Sequence, residues 1–257
     1  MAETMEQIIE KKMETFNEYL EYSNMDKKQY QYDGVKWCLK KEIDPTKLST
    51  GKSSTTAKGG FITDEMGLGK TIMMIGLMLS NPVRRTLIVL PPILIDQWVN
   101  QIYRTTGNTV LVYHGANKKK TSLAELMRAQ VVITTYGAIT MSKKKLELIQ
   151  FNPELMTDLH KIQWSRIIFD EAHHLRNLNT RSKSVKLLKK DICWLVSGTP
   201  IQNSQRDFYN LCSILQIPSA IYKKDYDFVR KNFILKRTKK EVGIIIPDKY
   251  NNKQTQH

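Results

Sequence analysis

Two rhythms of apolar and polar positions run along this chain. From Met1 to Glu21 charged residues surround Ile8, Ile9, Met13, Phe16 and Leu20 at helical spacing. That pattern predicts an amphipathic helix, with a polar link to about residue 28. Tyr30, Val35, Trp37 and Leu39 suit a second helix that ends near Glu42. Asp44 to Lys58 carries Pro45 and is rich in Ser, Thr, Lys and Gly, so it reads as an exposed loop. A short apolar run, Gly60-Phe61-Ile62-Thr63, and a long one, Ile72 to Leu79, then flank a glycine-containing stretch. From there the rhythm alternates. Apolar runs at residues 86–90, 109–113, 131–134, 166–169 and 192–196 read as strands. Residues 93–103, 122–129, 138–150 and 179–190 between them read as helices, and 207–215 and 222–233 as two more. A continuous run such as Thr86-Leu87-Ile88-Val89-Leu90 fits a parallel strand covered on both faces. The whole order predicts an α/β fold: a doubly wound, mostly parallel sheet with helices on both faces.

Composition narrows the partners. The chain has 257 residues, 41% of them hydrophobic, enough for one large α/β domain or two small ones. No apolar run approaches bilayer length, and the N-terminal stretch lacks the apolar core of a signal peptide, so no membrane partner is expected. Cys38, Cys193 and Cys212 are odd in number and scattered. They form no disulfide framework or metal spacing, which favours a reducing compartment. The net charge is +15, and the stretch from Tyr222 onward holds ten Lys/Arg against four Asp/Glu. A polyanionic partner follows more naturally than a merely solvated surface, although the clusters Lys118-Lys119-Lys120 and Lys143-Lys144-Lys145 suit either.

The candidate chemistry lies at the carboxyl ends of predicted strands. Asp64-Glu65-Met66-Gly67-Leu68-Gly69-Lys70-Thr71 reads as strand, glycine loop, helix. Gly67 and Gly69 let backbone N–H groups curl around a phosphate. The helix start behind them favours an anion. Lys70 can reach terminal phosphates and the Thr71 hydroxyl can ligate Mg²⁺. Asp64 stands where a phosphate loop usually has glycine, so from this stretch alone a chance Gly-Lys-Thr stays open. Gly51-Lys52-Ser53 imitates the end of such a loop, but no strand precedes it and no apolar helix follows, so it is set aside. An apolar strand delivers Asp170-Glu171 at its end. One acid can hold Mg²⁺ and the other can activate water, or Asp170 is only a helix cap. Ser197 and Thr199 carry hydroxyls at the same edge, in a turn whose Gly and Pro could serve the backbone alone. Gln31 can both donate to and accept from an adenine edge.

Taken in order, these stretches resemble the Snf2 family of DNA-dependent ATPases, a branch of the superfamily 2 helicase-like proteins. Tyr30-Gln31 with Gly34 and Trp37 resembles its Q motif. Asp64 to Thr71 matches its phosphate loop, acidic residue included. Leu90-Pro91-Pro92 with Leu94, Gln97 and Trp98 is similar to motif Ia, and Tyr113-His114-Gly115 also recurs in the family. Thr134-Thr135-Tyr136 is similar to motif Ib, Asp170-Glu171-Ala172-His173 is the DEAH form of motif II, and Ser197 to Asn203 resembles motif III. His173 to Asn177 and the Pro-Ile-Gln-Asn run resemble the Lodestar-like repair and transcription-termination subgroup. The resemblance implies a RecA-like ATP-binding lobe over residues 29–233, a helical extension at 1–28 and the start of a connector at 234–257. It implies ATP and Mg²⁺ as cofactors. Gln31 would read adenine, and Asp64, Gly67, Leu68 and Gly69 would cradle phosphate with Lys70. Thr71 and Asp170 would hold the metal, and Glu171 would activate water. Pro91, Gln97, Thr134 and Thr135 would contact a nucleic-acid backbone, while Ser197 and Thr199 would couple nucleotide state to DNA grip. The implied partners are double-stranded DNA, with RNA the lesser alternative, and a second RecA-like lobe supplying arginine fingers, without which turnover should be poor. The implied place of action is the nucleus, or a cytoplasmic replication site in the case of a large DNA virus. An RNA-stimulated helicase and a non-catalytic nucleic-acid-binding module are the competing functions.

Overall fold

The computed structural model describes residues 3–51, 53–198 and 204–244. Helix α1 (Met5–Tyr22) starts at a capping box in which Thr4 and Gln7 satisfy each other's backbone N–H. Such a cap fixes a helix start that would otherwise fray. Helix α2 (Gln29–Ile43) follows, and the chain then enters the sheet.

Eight strands make up this sheet: β1 (Thr46–Ser49), β2 (Ser54–Ile62), β3 (Thr86–Leu90), β4 (Leu111–Tyr113), β5 (Val131–Thr135), β6 (Gln163–Phe169), β7 (Lys189–Val196) and β8 (Ile234–Leu235). Their order is β1-β2-β7-β6-β3-β5-β4, with β8 also paired to β2. Only β1 runs antiparallel to its neighbour. From β3 the chain crosses to β4 at the edge, comes back to β5 between the two, and then passes to β6 on the other side of β3. That reversal makes the sheet doubly wound and opens a crevice at the carboxyl ends.

The central strands carry apolar residues on both sides because alternate positions feed two different cores. Leu87 and Val89 face one layer with Phe61, Trp164, Phe169 and Phe208. Ile88 and Leu90 face the other with Ile62, Ile133, Ile168 and Trp194. Helices α1, α2, α3 (Lys70–Ser80) and α4 (Ile95–Thr106) cover this second face through Phe16, Val35, Met73 and Trp98. Under the same face lies a buried ion pair. Glu42 receives bonds from Arg166 Nε (2.7 Å) and Nη2, Trp194 Nε1 (2.8 Å) and Asn81 Nδ2 (2.7 Å), and both charged side chains are essentially inaccessible.

Several local expectations are corrected. Residues 44–58, expected as an exposed loop, form the β1–β2 hairpin. Its β-branched threonines suit strands, and Leu48 and Ala57 anchor it in the core. Gly51, with φ +77°, lies at its turn, so the rejected Gly51-Lys52-Ser53 does follow a strand. The Lys118-Lys119-Lys120 cluster, which follows the strand expected at 109–113, ends a short helix, Gly115–Lys120. The helix expected over 138–150 is two pieces, Tyr136–Ile139 and Lys143–Leu148, the second capped by Ser142. The basic helix from residue 179 stops at Lys186, because Lys189 already opens β7.

Candidate nucleotide-binding site

The carboxyl ends of β2, β3, β6 and β7 gather the predicted residues on one edge. The loop after β2 ends at Gly69, whose left-handed backbone (φ +76°) precedes the first turn of α3. A side chain there is ruled out twice. The conformation disfavours one, and a Cβ would stand 2.2 Å from Gln31 Nε2. Gln31 is buried and donates that amide to the Leu68 carbonyl at 3.2 Å. The glutamine assigned to adenine thus also clasps the loop. Lys70 Nζ donates to the carbonyls of Asp64 (2.8 Å) and Glu65 (3.1 Å). Burial pushes its ammonium below the ordinary lysine range, against the opposing pull of Asp64, Asp170, Glu171 and Glu65.

Asp64 is fully buried, and its partner is a residue that the sequence pattern did not flag. Arg237, two residues beyond β8, donates from Nε (3.1 Å) and Nη2 to the two carboxylate oxygens, and from Nη1 to the Tyr30 carbonyl. This forked geometry is what a guanidinium offers a carboxylate. Gly34 makes room for it: a Cβ there would lie 2.8 Å from Arg237 Nη2. The only local hint was an acid in a glycine's place, which demands a cation.

Asp170 ends β6 with both oxygens occupied. Oδ2 accepts from Trp98 Nε1 on α4 (2.7 Å) and Oδ1 from the Glu171 N–H (2.9 Å), while Tyr136 Oη donates to its carbonyl (2.7 Å). Burial raises its pKa despite these donors. The helix-cap alternative is corrected, since the residue at the cap of the following 3₁₀ turn is Glu171. Glu171 holds a left-handed backbone, φ +50°, a strained conformation for a non-glycine that points to a functional constraint. Its Oε2 is shielded from solvent without a hydrogen bond, although His173 Nδ1 stands 3.0 Å away. His173 Nδ1 also meets Ser197 Oγ at 3.3 Å, which links the end of β6 to the end of β7.

The other predicted residues divide. Pro91 is partly exposed and Gln97 exposed, at the head of α4. Thr134 is fully buried and donates its hydroxyl to the Tyr113 carbonyl (2.8 Å), so the sheet takes the group expected at a nucleic-acid backbone. Thr135 is nearly as buried and pairs with His114 at 3.2 Å. Thr199 lies outside the described residues, as does most of the turn from Gly198 to Asn203.

The arrangement suits a phosphate chain. Gly67 and Gly69 both hold left-handed backbones, with the Lys70 ammonium against the loop carbonyls, a geometry that can turn N–H groups toward an anion, and the unbonded Glu171 oxygen asks for a donor such as water. Among the described residues no trio of His, Cys, Asp and Glu gathers to hold a metal by itself. One carboxylate and one hydroxyl, Asp170 and Thr71, is the sparse set that suits Mg²⁺ shared with phosphates and water. A cleft of about 840 Å³ opens beside the loop, lined by Thr63, Glu65, Gly198, Phe208 and Thr238.

Residues 30–240 match the SNF2-related domain. An uncharacterized ATP-dependent helicase of Schizosaccharomyces pombe is 32% identical over 207 residues, covering 74% of this chain and 19% of that protein. The DNA repair protein RAD5 of Saccharomyces cerevisiae is 30% identical, covering 63% of this chain and 18% of its own length. Among solved structures, the Sulfolobus solfataricus SWI2/SNF2 ATPase core in complex with dsDNA superposes with a TM-score of 0.62 at 22% identity, over 83% of this chain and 45% of that one. It shares the fold. The chain thus spans about a fifth of the length of these two curated relatives.

Proposed function

This chain belongs to the SNF2-related family, and from that premise we propose that it is the ATP-binding lobe of a motor that hydrolyses ATP on double-stranded DNA and translocates along it. The observation that carries the reading is the meeting of Lys70, Asp170 and a strained, unbonded Glu171 at one sheet edge. In this reading Lys70 moves from the loop carbonyls to the terminal phosphates. Thr71 and Asp170 would hold Mg²⁺, which when bound would supply charge to the phosphates, and Glu171 would orient and deprotonate the attacking water. Gln31 keeps its bond to the loop while presenting the rest of its amide to adenine.

The +15 charge supports a nucleic-acid track gripped through its phosphates, independently of sequence. Double-stranded DNA is favoured because the solved core with the shared fold was captured with it. A second RecA-like lobe would supply the arginine fingers, so this lobe alone should turn over ATP poorly. Relatives with DNA repair in their names favour action in the nucleus.

The test is ATP hydrolysis by the full-length protein with double-stranded DNA, single-stranded DNA, RNA or no addition. Strong stimulation by double-stranded DNA, abolished in Glu171→Gln, is expected. Stimulation by RNA alone would move the protein to the RNA helicases. No turnover under any condition would leave a binding module.

A further inference from the structure

The segment leaving the lobe does more than depart from it. It lies against the extension of β2 at every second residue. The Leu235 carbonyl accepts the Thr63 N–H (2.8 Å), the Arg237 carbonyl accepts the Glu65 N–H (2.9 Å), and the Lys239 N–H donates to Glu65 Oε2 (2.7 Å). Arg237 fixes the register through its fork on Asp64. This spacing of two is that of a strand, and it delivers the Lys239 side chain over the phosphate loop. A Cβ built on Gly67 would stand 3.4 Å from Lys239 Cε and 3.6 Å from Nζ.

Gly67 itself is exposed, with φ +87°. The two lysines at the loop differ in what their ammonium groups do. Lys70 donates to two carbonyls of the loop. Among the described residues, Lys239 Nζ makes no hydrogen bond and no ion pair, so all three of its donors remain available. Asp64, a fully buried acid of the same loop, is already paired with Arg237, and Glu65 spends one oxygen on the Lys239 backbone.

We infer that Lys239 is a second lysine of the phosphate site, reaching across Gly67 to the phosphates of a bound nucleoside di- or triphosphate, while Arg237 positions it by pinning the segment to Asp64. The inference rests on the nucleotide-binding reading above and extends the site to a stretch 169 residues beyond Lys70, outside the phosphate loop and the paired acids.

Titration of this chain with Mg·ATP, Mg·ADP and adenosine tests it, with the melting temperature of each variant measured alongside. Lys239→Gln should weaken ATP and ADP about tenfold, the loss of one charge-assisted contact, and leave adenosine binding and melting unchanged. Lys239→Arg should restore most of the affinity, and raising salt should narrow the gap between wild type and Lys239→Gln. Unchanged ATP affinity in Lys239→Gln, beside a clear loss in Lys70→Ala, would overturn the inference alone. Unchanged affinity in both variants would overturn the nucleotide reading with it.

Discussion

At the scale of the residue, the site is a set of carboxylates with different assignments. Asp64 is closed off by Arg237, Asp170 is held by Trp98 and its own neighbour's N–H, and Glu171 alone keeps an oxygen without a hydrogen bond. Only the last has an oxygen still open to a bond from water. Glu171→Gln should therefore lower DNA-stimulated hydrolysis by at least ~100-fold, the usual share of a general base, while nucleotide binding measured by titration persists. Trp98→Phe keeps the ring in the core but removes the donor to a buried oxygen. It should cost roughly 1–3 kcal/mol in urea unfolding, with a matching loss of Mg²⁺-dependent nucleotide affinity. The contiguous parts of this candidate site were legible in the sequence because Gly67, Gly69 and Lys70 share one loop and Asp170 and Glu171 are neighbours in the chain. Arg237 and Trp98 were not legible in these roles, since their partners lie 173 and 72 positions away. No local pattern encodes a contact formed only when the sheet closes.

Elements were legible where burial on both faces dictated composition. β3, the start of β5 and the carboxyl-terminal halves of β6 and β7 are apolar runs and fell close to where the pattern put them. The β1–β2 hairpin was missed because its outer half is polar and exposed, so it lacks the signal of a buried strand. The helices over 138–150 and 179–190 were overextended, because charged residues at helical spacing say nothing of the Ser142 cap or of the point where β7 must begin. Elements on the second face are joined by the Glu42–Arg166 pair, which ties α2 to β6 and, through Trp194 and Asn81, to β7 and the end of α3. Removing one buried partner strands the other charge. Glu42→Ala should cost about 3–5 kcal/mol in chemical denaturation, far more than loss of the exposed Lys36–Glu10 pair, which solvent screens.

At the scale of the whole molecule, stability should depend on pH through a group remote from the site. His160 is fully buried between the Thr157 hydroxyl (2.6 Å) and the Ser184 carbonyl (2.9 Å). Burial holds its pKa below the ordinary histidine value. The unfolded chain therefore binds a proton that the native state resists, and stability falls as pH drops below about 6.5. Melting temperature should be flat above neutrality and decline on acidification, and His160→Gln should flatten that decline. The doubly wound sheet also sets how the lobe meets mechanical load. β8 runs parallel to β2, and beyond it the Thr63 and Glu65 N–H groups donate to the Leu235 and Arg237 carbonyls, while the Lys239 N–H donates to the Glu65 carboxylate. Tension drawn along the chain beyond residue 240 would strain these bonds together, in shear, instead of opening them one by one as in a peeled hairpin. This edge of the sheet is built as a lap joint, and the loop after β2 forms one of its two plates.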